Sequence, residues 1–146
     1  MRRIFTALLL ILLTSCSRAQ TYTVTLAGYD YTDRPIGWYS VDGAGGGNMF
    51  AGFLGGGGKW ACCADVTVGK PVHIEWTFHT TRAQYDAGMR MEDHELTVTV
   101  PKPEGSVPPK YLEVHFYSKD HIELRLVPFP GDARWPAGTD MSKLTD

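Results

Sequence analysis

The chain has 146 residues, a formal net charge of −2 at pH 7, and 43% hydrophobic and 12% aromatic residues. That composition supports one modest core and excludes a disordered chain. No basic block or stripe is present, which excludes nucleic acid as a natural partner, and the mild acidity argues against electrostatic attraction to anionic lipid.

Residues 1–15 read as an export signal: Arg2 and Arg3, an apolar run over 4–13, then the small residues Thr14 and Ser15. The run falls short of the roughly 20 apolar residues that cross a bilayer. Cys16 follows at once, and Leu13-Thr14-Ser15-Cys16 resembles the lipobox of bacterial lipoproteins. That resemblance implies cleavage before Cys16, a diacylglyceryl group on its thiol, and an acylated N-terminus carrying a chain such as palmitate. Two or more chains anchor stably where one does not. Ser17 stands where an acidic residue would retain a lipoprotein at the inner membrane. The expected address is therefore the inner leaflet of the outer membrane, facing the periplasm. Residues 16–21 make a lipidated N-terminus and a short tether, its roughly five residues spanning at most about 18 Å when extended. Loss of Arg2 and Arg3 with the signal increases the excess of the 16 acidic residues.

With Cys16 acylated, Cys62 and Cys63 have only each other within the chain, in an oxidising compartment. Three states stay open: a vicinal disulfide, two thiols buried in a strand, or a bridge to a second molecule. Adjacency rules out a Cys-x-x-Cys redox motif, and no further cysteine completes a zinc site.

Residues 22–146 read as a single β-domain. Residues 22–26 alternate as a strand, 28–35 form a polar, aromatic turn region, and 36–41 form a second strand. Two glycine runs, 43–47 and 55–58, bracket Met49, Phe50, Phe53 and Leu54. Strand character returns over 60–68. Residues 72–78 alternate, placing Val72, Ile74, Trp76 and Phe78 on one face and His73, Glu75 and Thr77 on the other. A short helix is expected near 82–87, a strand over 95–100, and a hairpin pairing 111–117 with 121–127. In that hairpin Leu112, Val114 and Phe116 share a face, as do Ile122, Leu124 and Leu126. About seven short strands with long glycine- and proline-rich loops and no long helical pattern predict an all-β fold. A single sandwich, immunoglobulin-like or related, is expected, with a barrel as the alternative.

Signals of chemistry are sparse. Neither glycine run matches a phosphate loop, since Lys59 is followed by Trp60. No Gly-x-Ser-x-Gly elbow is present. The mixed soft and hard donors of 89–95 suit no single metal and read as a solvated acidic loop. His73 and His115 read as surface residues near Glu75 and Glu113. The expectation is a protein that is not an enzyme, with no cofactor, no metal and no catalytic residues. Its partners would be a protein and, through the lipid, a membrane. Met49, Phe50, Phe53 and Leu54 either pack into the core or supply an apolar anchor for the partner. Tyr29, Asp30, Tyr31 and Asp33 would then supply its polar rim.

The runs Gly28-Tyr29-Asp30-Tyr31-Thr32-Asp33-Arg34, Val41-Asp42-Gly43-Ala44-Gly45-Gly46-Gly47-Asn48 and Gly55-Gly56-Gly57-Gly58, with Cys62-Cys63, resemble the DUF3304 family of small Gram-negative lipoproteins. The resemblance implies a periplasmic immunity protein that neutralises a lipase-type effector of type VI secretion. The alternative is a structural or assembly lipoprotein of the envelope with no inhibitory activity.

Overall fold

A computed structural model describes residues 19–52 and 55–131. Alternating apolar residues build nine strands and one short helix among them, arranged as two sheets packed face to face. The first sheet holds β1 (Thr21–Asp30), β4 (Gly56–Gly57), β5 (Ala61–Thr67), β8 (Tyr111–Ser118) and β9 (His121–Val127). Its central strand β1 runs parallel to β8 on one edge and antiparallel to β5 and then β4 on the other. The β8–β9 hairpin completes the sheet. The second sheet has the order β3 (Ala44–Gly45), β2 (Ile36–Val41), β6 (Pro71–Phe78), β7 (Glu92–Thr99), all antiparallel. Helix α1 (Arg82–Asp86) sits between β6 and β7. This is an all-β sandwich, and no closed barrel is formed among the described residues. No helix among them is long and apolar enough to cross a membrane.

The core lies between the sheets. Val72, Ile74, Trp76 and Phe78 of β6 face Leu112, Val114 and Phe116 of β8, and all are buried. Each such side chain contributes about 1.5–3 kcal/mol on leaving water. The rings of Trp76 and Phe116 meet edge to face at 5.5 Å, a geometry aromatic pairs prefer.

Three elements differ from the sequence expectation. Strand β1 does not stop at Leu26 but continues to Asp30. Tyr29 and Asp30 pair with Gly57 and Gly56 on one side and with His115 and Phe116 on the other. The second glycine run is thus partly a strand, narrow enough to lie against β1. Strand β7 begins at Glu92, so the acidic loop is an edge strand, in register with Trp76, Thr77 and Phe78.

Strand directions give the sandwich two distinct ends. At the proximal end lie Ala19 and Gln20, the turn through Val68 and Gly69, and residues 100–110. There Val68 N–H donates to the Gln20 carbonyl at 2.9 Å, and Val100 N–H donates to the Lys70 carbonyl at 2.9 Å. At the distal end lie residues 31–35, residues 49–52, the segment from His79 to Met91 with α1, and the turn between β8 and β9.

Candidate functional site

The distal end is assembled from short polar connections that the sandwich holds rigid. Beyond β1, the Thr32 N–H donates to Asp30 Oδ1 at 2.9 Å, and the Thr32 hydroxyl lies 2.8 Å from the same oxygen. This is an Asx-type turn. Asp30 Oδ2 is buried without a hydrogen-bond partner among the described residues. Burial pushes the Asp30 carboxyl up to about 7, against the lowering effect of its Thr32 bonds.

Arg34 then ties three segments together. Its guanidinium donates to the carbonyls of His79 at 3.3 Å, Phe78 at 3.4 Å and Arg90 at 2.6 Å. It also pairs with Glu92 at 3.0 Å, which holds that carboxyl below the usual glutamate range. Helix α1 is short, and a capping box fixes its start. The Thr81 hydroxyl accepts from Gln84 N–H at 3.2 Å, and Gln84 Oε1 accepts from Thr81 N–H at 2.9 Å. The Gln84 amide also donates to the Asp33 carbonyl at 2.8 Å, binding helix to loop.

Two segments singled out from sequence meet here. Tyr31, Thr32 and Asp33 line a shallow cleft of about 340 Å³ together with Ala51 and Gly52. Arg34, Glu92, His94 and Lys119 line a neighbouring cleft of about 420 Å³, bounded also by Tyr31 and Tyr117. Asp33 is exposed, and Phe50 is 71% exposed. Tyr85, Met89 and Met91 add further exposed apolar surface at the same end. They had no place in the expected anchor. The Thr81-x-x-Gln84 pattern was the available signal that their segment begins as an ordered turn.

Other expected site residues fall elsewhere. Met49 is not an exposed anchor. Its side chain is 1% exposed, its backbone bridges Ile36 and Gly58, and it wedges the glycine-rich segment into the core. Phe53 and Leu54 lie outside the described residues, as does Cys16. Tyr29, Asp30 and Tyr31 are buried and do not form a rim. Asp30, in register with the core residue Phe116, lies on the inner face of the first sheet, whereas Tyr29 and Tyr31 stack on His115 at its outer face, where the chain passes Gly131.

That covered face holds a polar network the sequence reading missed. His115 and Glu113 are fully buried rather than on the surface. The Tyr31 hydroxyl lies 2.9 Å from His115 Nδ1, and His115 Nε2 lies 3.3 Å from Glu113. Tyr29 stacks on the His115 ring at 4.8 Å and donates to the Gly131 carbonyl at 2.7 Å. Gly131 N–H in turn donates to Glu113 at 2.6 Å. Arg125 bonds Glu113 at 3.2 Å and grips both oxygens of Glu104. Burial opposes the charge on Glu113. The bonds from His115 and Gly131 and the electrostatic pull of His115 and Arg125 outweigh it, holding the carboxyl below the usual range. The Tyr31–His115 bond is buried, and the bonds from Tyr29 and to Glu113 tie the chain at Gly131 to this network.

The outer face of the second sheet is open and carries the half-exposed Trp38. On it His73 Nε2 lies 3.4 Å from Glu95 and 3.9 Å from Glu75. The donor atoms of these three lie within 4.8 Å of one another, the one group among the described residues whose spacing could hold a metal ion. On β5, Cys62 and Cys63 are exposed and joined as a vicinal disulfide across a cis peptide bond. The alternative of thiols buried in a strand does not hold.

A family model described as a protein of unknown function, DUF3304, matches residues 29–124. No curated protein and no solved structure matches the chain.

Proposed function

The chain belongs to the DUF3304 family, and on that premise we propose that it is a membrane-anchored periplasmic lipoprotein whose sandwich is a protein-binding module. In this reading Cys16 carries the lipid in the inner leaflet of the outer membrane. The distal end meets the partner, a lipase-type effector delivered by type VI secretion, and neutralises it. The observation that carries the reading is the separation of the two ends. The chain comes from the anchor at one end, while Phe50, Tyr85, Met89 and Met91 are exposed at the other. Exposed aromatic and methionine side chains beside polar groups such as Asp33 and Lys119 suit a protein interface. The Arg34 and Gln84 ties hold this surface in place before binding, which lowers the ordering cost of association.

The test is periplasmic co-expression with a type VI lipase effector encoded beside this chain. Wild type is expected to protect the cells. The Phe50→Asp/Met91→Asp variant, present in equal amount, is expected not to. Cells that survive the effector without this protein would sink the immunity reading. Loss of an envelope complex on deletion, with no toxin present, would mark an assembly lipoprotein instead.

A further inference from the structure

We propose that the proximal end of the sandwich is a docking face for anionic phospholipid headgroups, so that the domain stands on the bilayer rather than swinging from its tether. The proposal rests on the reading of Cys16 as the lipid anchor. Ala19 and Gln20 line a cleft of about 620 Å³ together with Lys102, Ser106, Val107 and Pro108. Ala19 is three residues from Cys16, a reach of at most about 11 Å. Whatever lies on that cleft is therefore next to the membrane.

Charge is segregated toward this end. Of the five lysines among the described residues, Lys70, Lys102 and Lys110 lie here, and all three are exposed. Glu104, the carboxylate of the 100–110 loop, is engaged by Arg125. Asp42, in the turn after β2, is a further carboxylate at the proximal end and accepts from the His73 N–H at 2.7 Å. The distal end and its flanking strand carry Asp33, Asp86, Glu92, Asp93 and Asp120 against Arg34, Arg82, Arg90 and Lys119. Three lysines against two engaged carboxylates thus face the proximal side, and acids outnumber cations at the distal side. A net charge of −2 conceals this polarity. Apolar side chains accompany the lysines: Val107 is 50% exposed, and Phe129, two residues past β9, is 69% exposed. Pro101, Pro103, Pro108 and Pro109 stiffen the loop that presents Val107. Lysines beside exposed apolar side chains on a stiff loop match an anionic interface, where each lysine strengthens binding about fivefold.

The test uses the lipidated full chain in vesicles of phosphatidylcholine, with and without phosphatidylglycerol. With Cys16 acylated and Cys62 and Cys63 paired, Val107→Cys gives a single thiol for an environment-sensitive fluorophore, and Lys119→Cys gives a distal control. Phosphatidylglycerol should shift the Val107 label to an apolar signal and leave the Lys119 label unchanged. Combining Lys70→Glu, Lys102→Glu and Lys110→Glu, or raising salt, should abolish the shift. A chain that fails to float with vesicles overturns the anchor and the docking face together. A chain that floats with a water-exposed Val107 label overturns the docking face alone. A shift that follows protein concentration and ignores lipid charge would assign the face to a second copy, and also overturns it.

Discussion

The Glu113 carboxylate lies 3.3 Å from the His115 ring, two residues along β8, and neither side chain reaches solvent. Alternation would put both residues on the outer side of the hairpin, yet that side is covered where the chain passes Gly131. Removing one partner of a buried ionic network leaves the others uncompensated. Glu113→Ala should cost about 3 kcal/mol in urea unfolding at pH 7. The depressed Glu113 carboxyl adds stability that is present above the usual glutamate value of 4.5. That stability is lost as pH falls through the folded-state value, so Glu113→Gln should flatten the acid limb. An unchanged acid limb would show that Glu113 does not carry it.

Asp30 acts in the opposite direction. Its folded-state value is raised to about 7 from 3.8. Its neutral form therefore adds stability that is fully present below 3.8 and is lost as pH rises through about 7. Asp30→Asn should leave stability near pH 4 almost unchanged and raise it at pH 8 by about 1–4 kcal/mol. Equal destabilisation at both pH values would mean that shape, not charge, decides at this position.

Close approach, rather than turn geometry, explains part of the glycine-rich stretch. A Cβ at Gly58 would overlap the Asn48 carbonyl, whereas one at Gly57 would meet open space. Gly58→Ala should cost about 2 kcal/mol through overpacking, and Gly57→Ala less than about 1 kcal/mol. Thermal unfolding of the two variants separates them, and equal losses would contradict this packing.

Met49 and Phe50 are neighbours with opposite roles. Met49→Ala should open a core cavity and cost about 2–4 kcal/mol. Phe50→Asp, at a 71% exposed position, should change stability by less than about 1 kcal/mol. A destabilised Phe50→Asp would remove Phe50 from the partner-facing surface.

These contrasts show what the sequence could express. The 72–78 alternation and the 111–127 hairpin were legible because one face of each packs between the sheets, and period two reports which residues share a face. Period two does not report what covers the other face. For that reason Tyr29 and Tyr31 read as turn residues and His115 as surface, although the central strands β1 and β8 are buried on their outer face around these three residues. The glycines read as hinges because composition cannot reveal that Asn48 would meet a side chain at Gly58. The loops around Asp33 and Phe50 were found from sequence, but their meeting at one end required the strand order. The short helix near 82–87 was legible, but it buries none of its residues, so its sequence could not tell that Tyr85, and Met89 and Met91 beyond it, stay exposed at the distal end.

The role proposed for the distal end is to bind a protein partner. Its most direct test is the affinity of the purified chain for a type VI lipase effector encoded beside it, with wild type and Phe50→Asp/Met91→Asp compared at matched thermal stability. The variant should bind at least about tenfold more weakly, as expected for loss of interface anchors. Equal affinity of the two proteins, both folded, would contradict it.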